Sequence, residues 1–135
     1  MNKTPSLPSI ARVTFGIDAI VATVIGALLL VIPDAFGGWF GYASCPDVVP
    51  PLRAFGAMFL GLGAVTSIYG VTARAWERVD IIVRAEITTT ALMTIVFIVS
   101  AILGSGPPLG NVIFAVVSVI LLALFVATWA ARPRP

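Results

Sequence analysis

An all-α integral membrane protein, built as a four-helix bundle with up-down topology, is the architecture this chain calls for. Three observations require it. First, 59% of the 135 residues are hydrophobic and only 10% are charged. Soluble domains run at about 45–50% apolar and about 25% charged. Second, the mean hydropathy is +1.09. That excludes a water-soluble globule, and it excludes disorder, which needs low hydrophobicity and high net charge. Third, the apolar residues fall into four stretches, at about 13–32, 52–73, 81–103 and 109–131. Each is close to the ~20 residues that cross ~30 Å of hydrocarbon. In lipid a backbone must satisfy its own hydrogen bonds, so each stretch is a helix. The length is that of one domain, here residues 1–135.

The elements follow in order. The first stretch holds one charge, Asp18, and Pro33-Asp34 ends it. Pro50-Pro51 opens the second, with Arg53 at its start. A charged turn at 74–80 leads to the third, where Arg84 and Glu86 come early and no charge follows. Gly104-Ser105-Gly106-Pro107-Pro108 separates it from the fourth, which is uncharged. Helices one and three each carry one early acid, and proline opens helices two and four. These matches raise a possible parallel repeat of two helical hairpins.

Lys and Arg placement gives an orientation. Lys3, Arg12, Arg74, Arg78, Arg84, Arg132 and Arg134 fall on one side and Arg53 alone on the other. The expectation is a multi-pass protein of the plasma (cytoplasmic) membrane with both termini cytoplasmic. Trp76 and Trp129 then mark the inner boundary and Trp39 the outer one. Ala35-Phe36-Gly37 after the first apolar run has the form of a signal cleavage site. The length of that run, and Asp18 within it, argue instead for a retained helix.

The chemistry open to the chain is narrow. There is no His and only one Cys, Cys45. An imidazole base, a His-held metal or haem and an internal disulfide are therefore excluded. No catalytic residue, cofactor or metal is assigned, and an enzyme is not expected. The net charge of +2 contains no basic run, so nucleic acid is not expected as a partner.

Helix faces supply the candidate residues. Helix two carries a seam of Arg53, Gly56, Leu60, Gly63, Ser67, Gly70 and Arg74. Gly56, Gly63 and Gly70 read as a packing groove for a neighbouring helix, the ordinary use of small residues in membranes. Helix one offers Asp18, Ala22 and Gly26. Helix three offers Glu86, Thr90 and Thr94, and helix four Asn111, Ala115 and Ser118. Turned inward, these stripes make a compact bundle with Leu, Ile and Val toward lipid.

Asp18 and Glu86 are the sharpest feature. At 1.5 Å per residue both lie ~9 Å into the inner leaflet, measured from Arg12 and Asp80 respectively. Helix two reaches that level at Thr66, Ser67 and Tyr69. The expected buried polar cluster is Asp18, Tyr69, Glu86 and Thr90. Acids inside a span are costly and usually paired. Arg12, Arg74 and Arg84 are the candidate partners of a structural ion-pair network, the preferred reading. The functional alternative is a proton or cation site, in which two nearby acids hold one proton. Arg84 also lies four residues after Asp80, the reach of a helix-surface pair. Arg53 is a candidate outer-side anchor to lipid or loop acids, or a ligand group.

The 33–51 loop holds Phe36, Trp39, Phe40 and Tyr42. It reads as a segment lying on the outer leaflet, a lid or a docking surface. Gly37, Gly38 and Gly41 favour a bent form. Cys45 reads as a plain surface thiol.

Leu52-Arg53-Ala54-Phe55-Gly56, with Phe59, Gly61 and Gly63, resembles the Arg-then-glycines helix opening of the small four-helix bacterial membrane proteins around the DoxX-like families. The likeness in hydropathy covers nearly the whole chain. It implies the four-helix membrane fold and assigns no activity to any residue. Two function classes remain. One is a non-catalytic integral membrane subunit or helper that stabilises or assembles a larger complex. The other is a small oligomeric proton- or cation-coupled transporter or channel using Asp18 and Glu86. Partners are membrane lipid and other membrane subunits or further copies of the chain.

Overall fold

The structure, a computed structural model, describes residues 6–43 and 45–133. Lys3 and Arg134, which enter the charge asymmetry, lie outside the described residues. The elements are α1 (Ser9–Val31), α2 (Pro33–Trp39), a 3-10 turn (Pro46–Val48), α3 (Val49–Met58), a π-helical turn (Phe59–Ala64), α4 (Val65–Thr72), a second 3-10 turn (Trp76–Arg78), α5 (Asp80–Ile102) and α6 (Pro108–Ala130). Four helical segments are long and apolar enough to cross a membrane: α1, the Pro46–Thr72 run, α5 and α6, of 23, 27, 23 and 23 residues.

The breaks have local causes. Pro33 and Pro108 stand in the first turns of α2 and α6, where a missing N–H costs nothing. Gly104 and Gly106 adopt φ of +64° and +78°, so the α5–α6 turn uses a conformation that side-chain-bearing residues avoid. α2 forms despite Gly37 and Gly38 and ends at Trp39, two residues before Gly41, whose φ is +86°. The 33–51 loop is therefore partly helical.

Burial differs from that of a soluble protein. Thr14, Asp18, Ser67, Thr90, Thr94, Asn111, Ser118 and Thr128 are buried, while Ile20, Leu62, Ile95, Ile102 and many other large apolar side chains are exposed. With lipid as solvent, apolar surface gains nothing from turning inward. Along the spans the interior goes largely to small and hydrogen-bonding groups, with larger apolar side chains buried mainly near the ends. None of the buried side-chain polar atoms among the described residues lacks a hydrogen-bond partner.

Two helical hairpins compose the bundle. α1 packs along the second span, and α5 packs along α6. α1 against α6 joins the hairpins, whereas α4 and α5 do not pack along their length. The bundle is thus more open than four mutually packed helices would be.

At the end that carries both termini, Leu7, Ala11, Phe15, Ala73, Trp76, Val79, Val83 and Phe125 form one buried cluster. Phe15 and Phe125 meet edge to face at 5.6 Å between centroids. The Thr128 hydroxyl donates to Thr14 at 2.9 Å, and the Leu7 amide donates to the Arg74 carbonyl at 3.3 Å.

At the other end, α2 folds back over the second hairpin. Phe36 is buried, and Phe40 and Phe97 lie 4.9 and 5.3 Å from Phe114. The Tyr42 ring covers Gly110, and its hydroxyl lies 3.5 Å from Asn111, whose amide donates to the Ser105 carbonyl at 2.7 Å. Burial raises the Tyr42 phenol above its usual range, which keeps it a donor. The aromatic residues of the loop form a cap on the bundle, with Trp39 left exposed at its edge.

Candidate functional site

The second span shapes the site. Its glycine seam faces α1. A Cβ on Gly56 would stand 2.7 Å from both the Gly26 carbonyl oxygen and the Leu30 amide nitrogen, and a Cβ on Gly63 would stand 3.0 Å from Ala22 Cβ. One turn further Ser67 meets Asp18, and Gly70 lies under the Phe15 ring. Backbones this close leave no room for solvent between the helices, so Asp18 is only 5% exposed.

Asp18 accepts a hydrogen bond from the Ser67 hydroxyl at 2.5 Å. Thr66, the preceding residue, lies 3.5 Å from a Glu86 carboxylate oxygen on α5. Adjacent hydroxyls of one helix thus face two carboxylates from two other helices, and the carboxylates are near enough to interact electrostatically. The Thr66 hydroxyl lies closer to two carbonyls, Leu62 at 2.5 Å and Gly63 at 3.2 Å. These carbonyls belong to the π-helical turn, whose wider winding disturbs the i to i−4 ladder. A hydroxyl has one proton. That proton is shared between these carbonyls and Glu86, so the hydroxyl contact to Asp18 is the stronger of the two.

Other expected members are elsewhere. Tyr69 is 45% exposed and outside the cluster. At ~100° per residue it lies about 200° around the helix from Ser67. Thr90 is buried, but its hydroxyl donates to the Glu86 main-chain carbonyl at 2.6 Å and not to the carboxylate. Thr94 does the same with the Thr90 carbonyl at 2.7 Å.

The expected ion-pair network is also absent among the described residues. Arg84 pairs with Asp80 at 3.1 Å, and Asp80 additionally accepts from the Trp76 indole at 3.1 Å. Arg12 and Arg74 are exposed and make no ion pair among the described residues. The reason is depth: long Arg side chains near a helix end extend to the polar boundary instead of turning inward. Arg53 is likewise exposed at the loop end, with no ion pair among the described residues. Cys45 is an exposed free thiol.

Two features had no clear sequence signal. The Thr14–Thr128 bond joins α1 to α6 across 114 positions, and only the presence of a hydroxyl within the first two turns of α1 and on the last turn of α6 hints at it. The Tyr42–Asn111 contact depends on how the loop folds back. Comparison of the chain with protein-family models, with curated proteins and with solved structures found no match in any of the three.

Proposed function

We propose that the chain is a small proton- or cation-coupled membrane transport protein, with Asp18 and Glu86 as the group that takes up and releases the ion. One observation carries this reading. The two in-span carboxylates meet the adjacent hydroxyls of Ser67 and Thr66, and among the described residues neither forms an ion pair. Two acids at close range favour holding one proton, or a cation in its place, over two bare charges. The protein acts in the plasma membrane with both termini cytoplasmic, as its Lys and Arg asymmetry supports.

The test is Asp18→Asn and Glu86→Gln in proteoliposomes carrying a pH-sensitive dye. Both variants keep a hydrogen-bonding side chain and should fold and melt within a few degrees of the parent. Both should lose pH-driven flux. Early melting with poor expression would return the acids to a structural role. Unchanged flux would overturn the proposal.

A second reading, the non-catalytic subunit or helper of a larger membrane complex, is supported by the sparse packing between the second and third spans. A neighbour's helix could complete that side. Purification from native membranes in mild detergent separates the two: reproducible co-purifying subunits favour the helper, a lone homo-oligomer the transporter.

A further inference from the structure

The termini end carries a second constellation, separate from the acid pair. Trp129, on the last turn of α6, lies 6.0 Å from Trp76 and is flanked by two guanidiniums. Arg84 sits 4.6 Å from its ring centroid and Arg132 sits 4.3 Å from it. Cation–π contact with Trp is the strongest of its kind and holds both cations in place. Each has one further restraint. Arg84 Nε faces Asp80 at 3.1 Å. Arg132 Nη1 donates to the Trp129 carbonyl at 3.1 Å. Arg84 therefore keeps both Nη groups, and Arg132 keeps Nε and Nη2, as donors with no partner among the described residues.

The acid nearest to these cations is already engaged. Asp80 is shared between Arg84 and the Trp76 indole. Among the described residues, Arg12, Arg74, Arg78, Arg84 and Arg132 stand around this end, against Glu77 and Asp80. Deeper than the guanidiniums the two spans expose apolar side chains: Val126, three residues before Trp129 on α6, is 47% exposed, and Leu92, about two turns past Arg84 on α5, is 58% exposed. Two fixed guanidiniums above an apolar wall, at the end of two spans, match one amphiphile: a phosphodiester headgroup with its acyl chains lying along α5 and α6. Each guanidinium presents a planar fork of donors that suits phosphate oxygens geometrically as well as by charge.

The geometry points to a binding site for one anionic phospholipid, its phosphate met at the edge of Trp129 by the free donors of Arg84 and Arg132. A zwitterionic lipid brings its own cation toward the guanidiniums and fits less well. Free phosphate lacks the chains.

The experiment uses the full-length protein in a non-ionic detergent, titrated separately with phosphatidylglycerol, phosphatidylcholine and inorganic phosphate. Lipid retention is read by native mass spectrometry and melting by fluorescence. Phosphatidylglycerol should remain as a one-to-one adduct and raise the melting temperature; the other two should do neither. Arg132→Gln, which removes an exposed side chain touching only its own helix end, should weaken the adduct roughly five-fold, the loss of about one basic contact near an anionic surface. Trp129→Leu keeps every charge but loses the ordering, and should weaken it as well. Arg78→Gln, another exposed arginine at the same end, should leave it unchanged. Three results would overturn the site: equal weakening by Arg78→Gln and Arg132→Gln, equal retention of phosphatidylcholine, or full competition by inorganic phosphate.

Discussion

At the residue scale, what decides a position's importance is the atom it faces. Gly56 and Gly61 stand in the same apolar run, yet a Cβ on Gly56 would meet α1 backbone while one on Gly61 meets open space. Gly56→Ala should therefore destabilise by about 1–3 kcal/mol, the usual cost of overpacking. Gly61→Ala should be neutral or slightly stabilising. Thermal melting in one detergent checks both, and equal effects would refute the tight contact. Ser67 and Thr90 form a second contrast. Both are buried, but Ser67 donates to the buried Asp18 carboxylate while Thr90 returns its proton to its own helix. Ser67→Ala should cost about 1–3 kcal/mol by leaving Asp18 without its donor. Thr90→Val should cost less, because the Glu86 carbonyl keeps its helical partner.

At the scale of elements, the second span carries the least regular feature. The glycines seven apart read as the seam of a uniform helix, but a π-helical turn occupies Phe59–Ala64. Such a turn takes up one residue more than an α-turn, which rotates everything after it. Ser67 and Gly70 reach Asp18 and Phe15 with that rotation in place. Removing Gly61 should restore regular α-winding and turn 65–72 by about 100° relative to 49–58. Ser67 would leave Asp18, and Gly70 would leave Phe15. The deletion should cost about 2–5 kcal/mol, like the loss of a core contact, whereas Gly61→Ala at the same site should not. Matching melting curves for the two variants would show that the π turn has no role in register.

At the scale of the whole molecule, the hairpins are tied at both ends, and α1 meets α6 at the termini end. The aromatic cap is the tie at the loop end, with Phe114 at its centre. Phe114→Ala should loosen that end, at the lower side of the about 3–5 kcal/mol typical of such truncations, since lipid can take up part of the exposed surface. It should also speed labelling of Cys45 by a membrane-impermeant thiol reagent, because the cap sits close to that loop. Unchanged labelling together with unchanged melting would mean that the cap rests on α6 without holding it. Topology has its own check: reporter fusions at the C-terminus and in the 104–108 turn should report opposite sides of the membrane.

The fold class and the four spans were legible in the sequence, because hydropathy over ~20 residues is a local property that lipid enforces on each helix separately. So were the inward-facing stripes of α1 and α6, where Asp18, Ala22, Asn111 and Ser118 recur at helical spacing. The site was legible only in part. Asp18 and Glu86 announced themselves as acids in apolar runs, and depth arithmetic brought Thr66 and Ser67 level with them. Their partners were decided by tertiary structure. Whether a carboxylate meets a guanidinium or a hydroxyl depends on how far Arg84 and Arg74 extend toward the boundary and on how the π turn rotates α4. Neither is a property of one helix alone. The cap was hidden for the same reason: Phe36, Phe40 and Tyr42 show only an aromatic loop until the chain folds back and sets them on Phe114 and Gly110. Local composition determined what this chain dissolves in and how often it crosses. Helix rotation and close packing, which involve two elements at once, determined which polar groups meet.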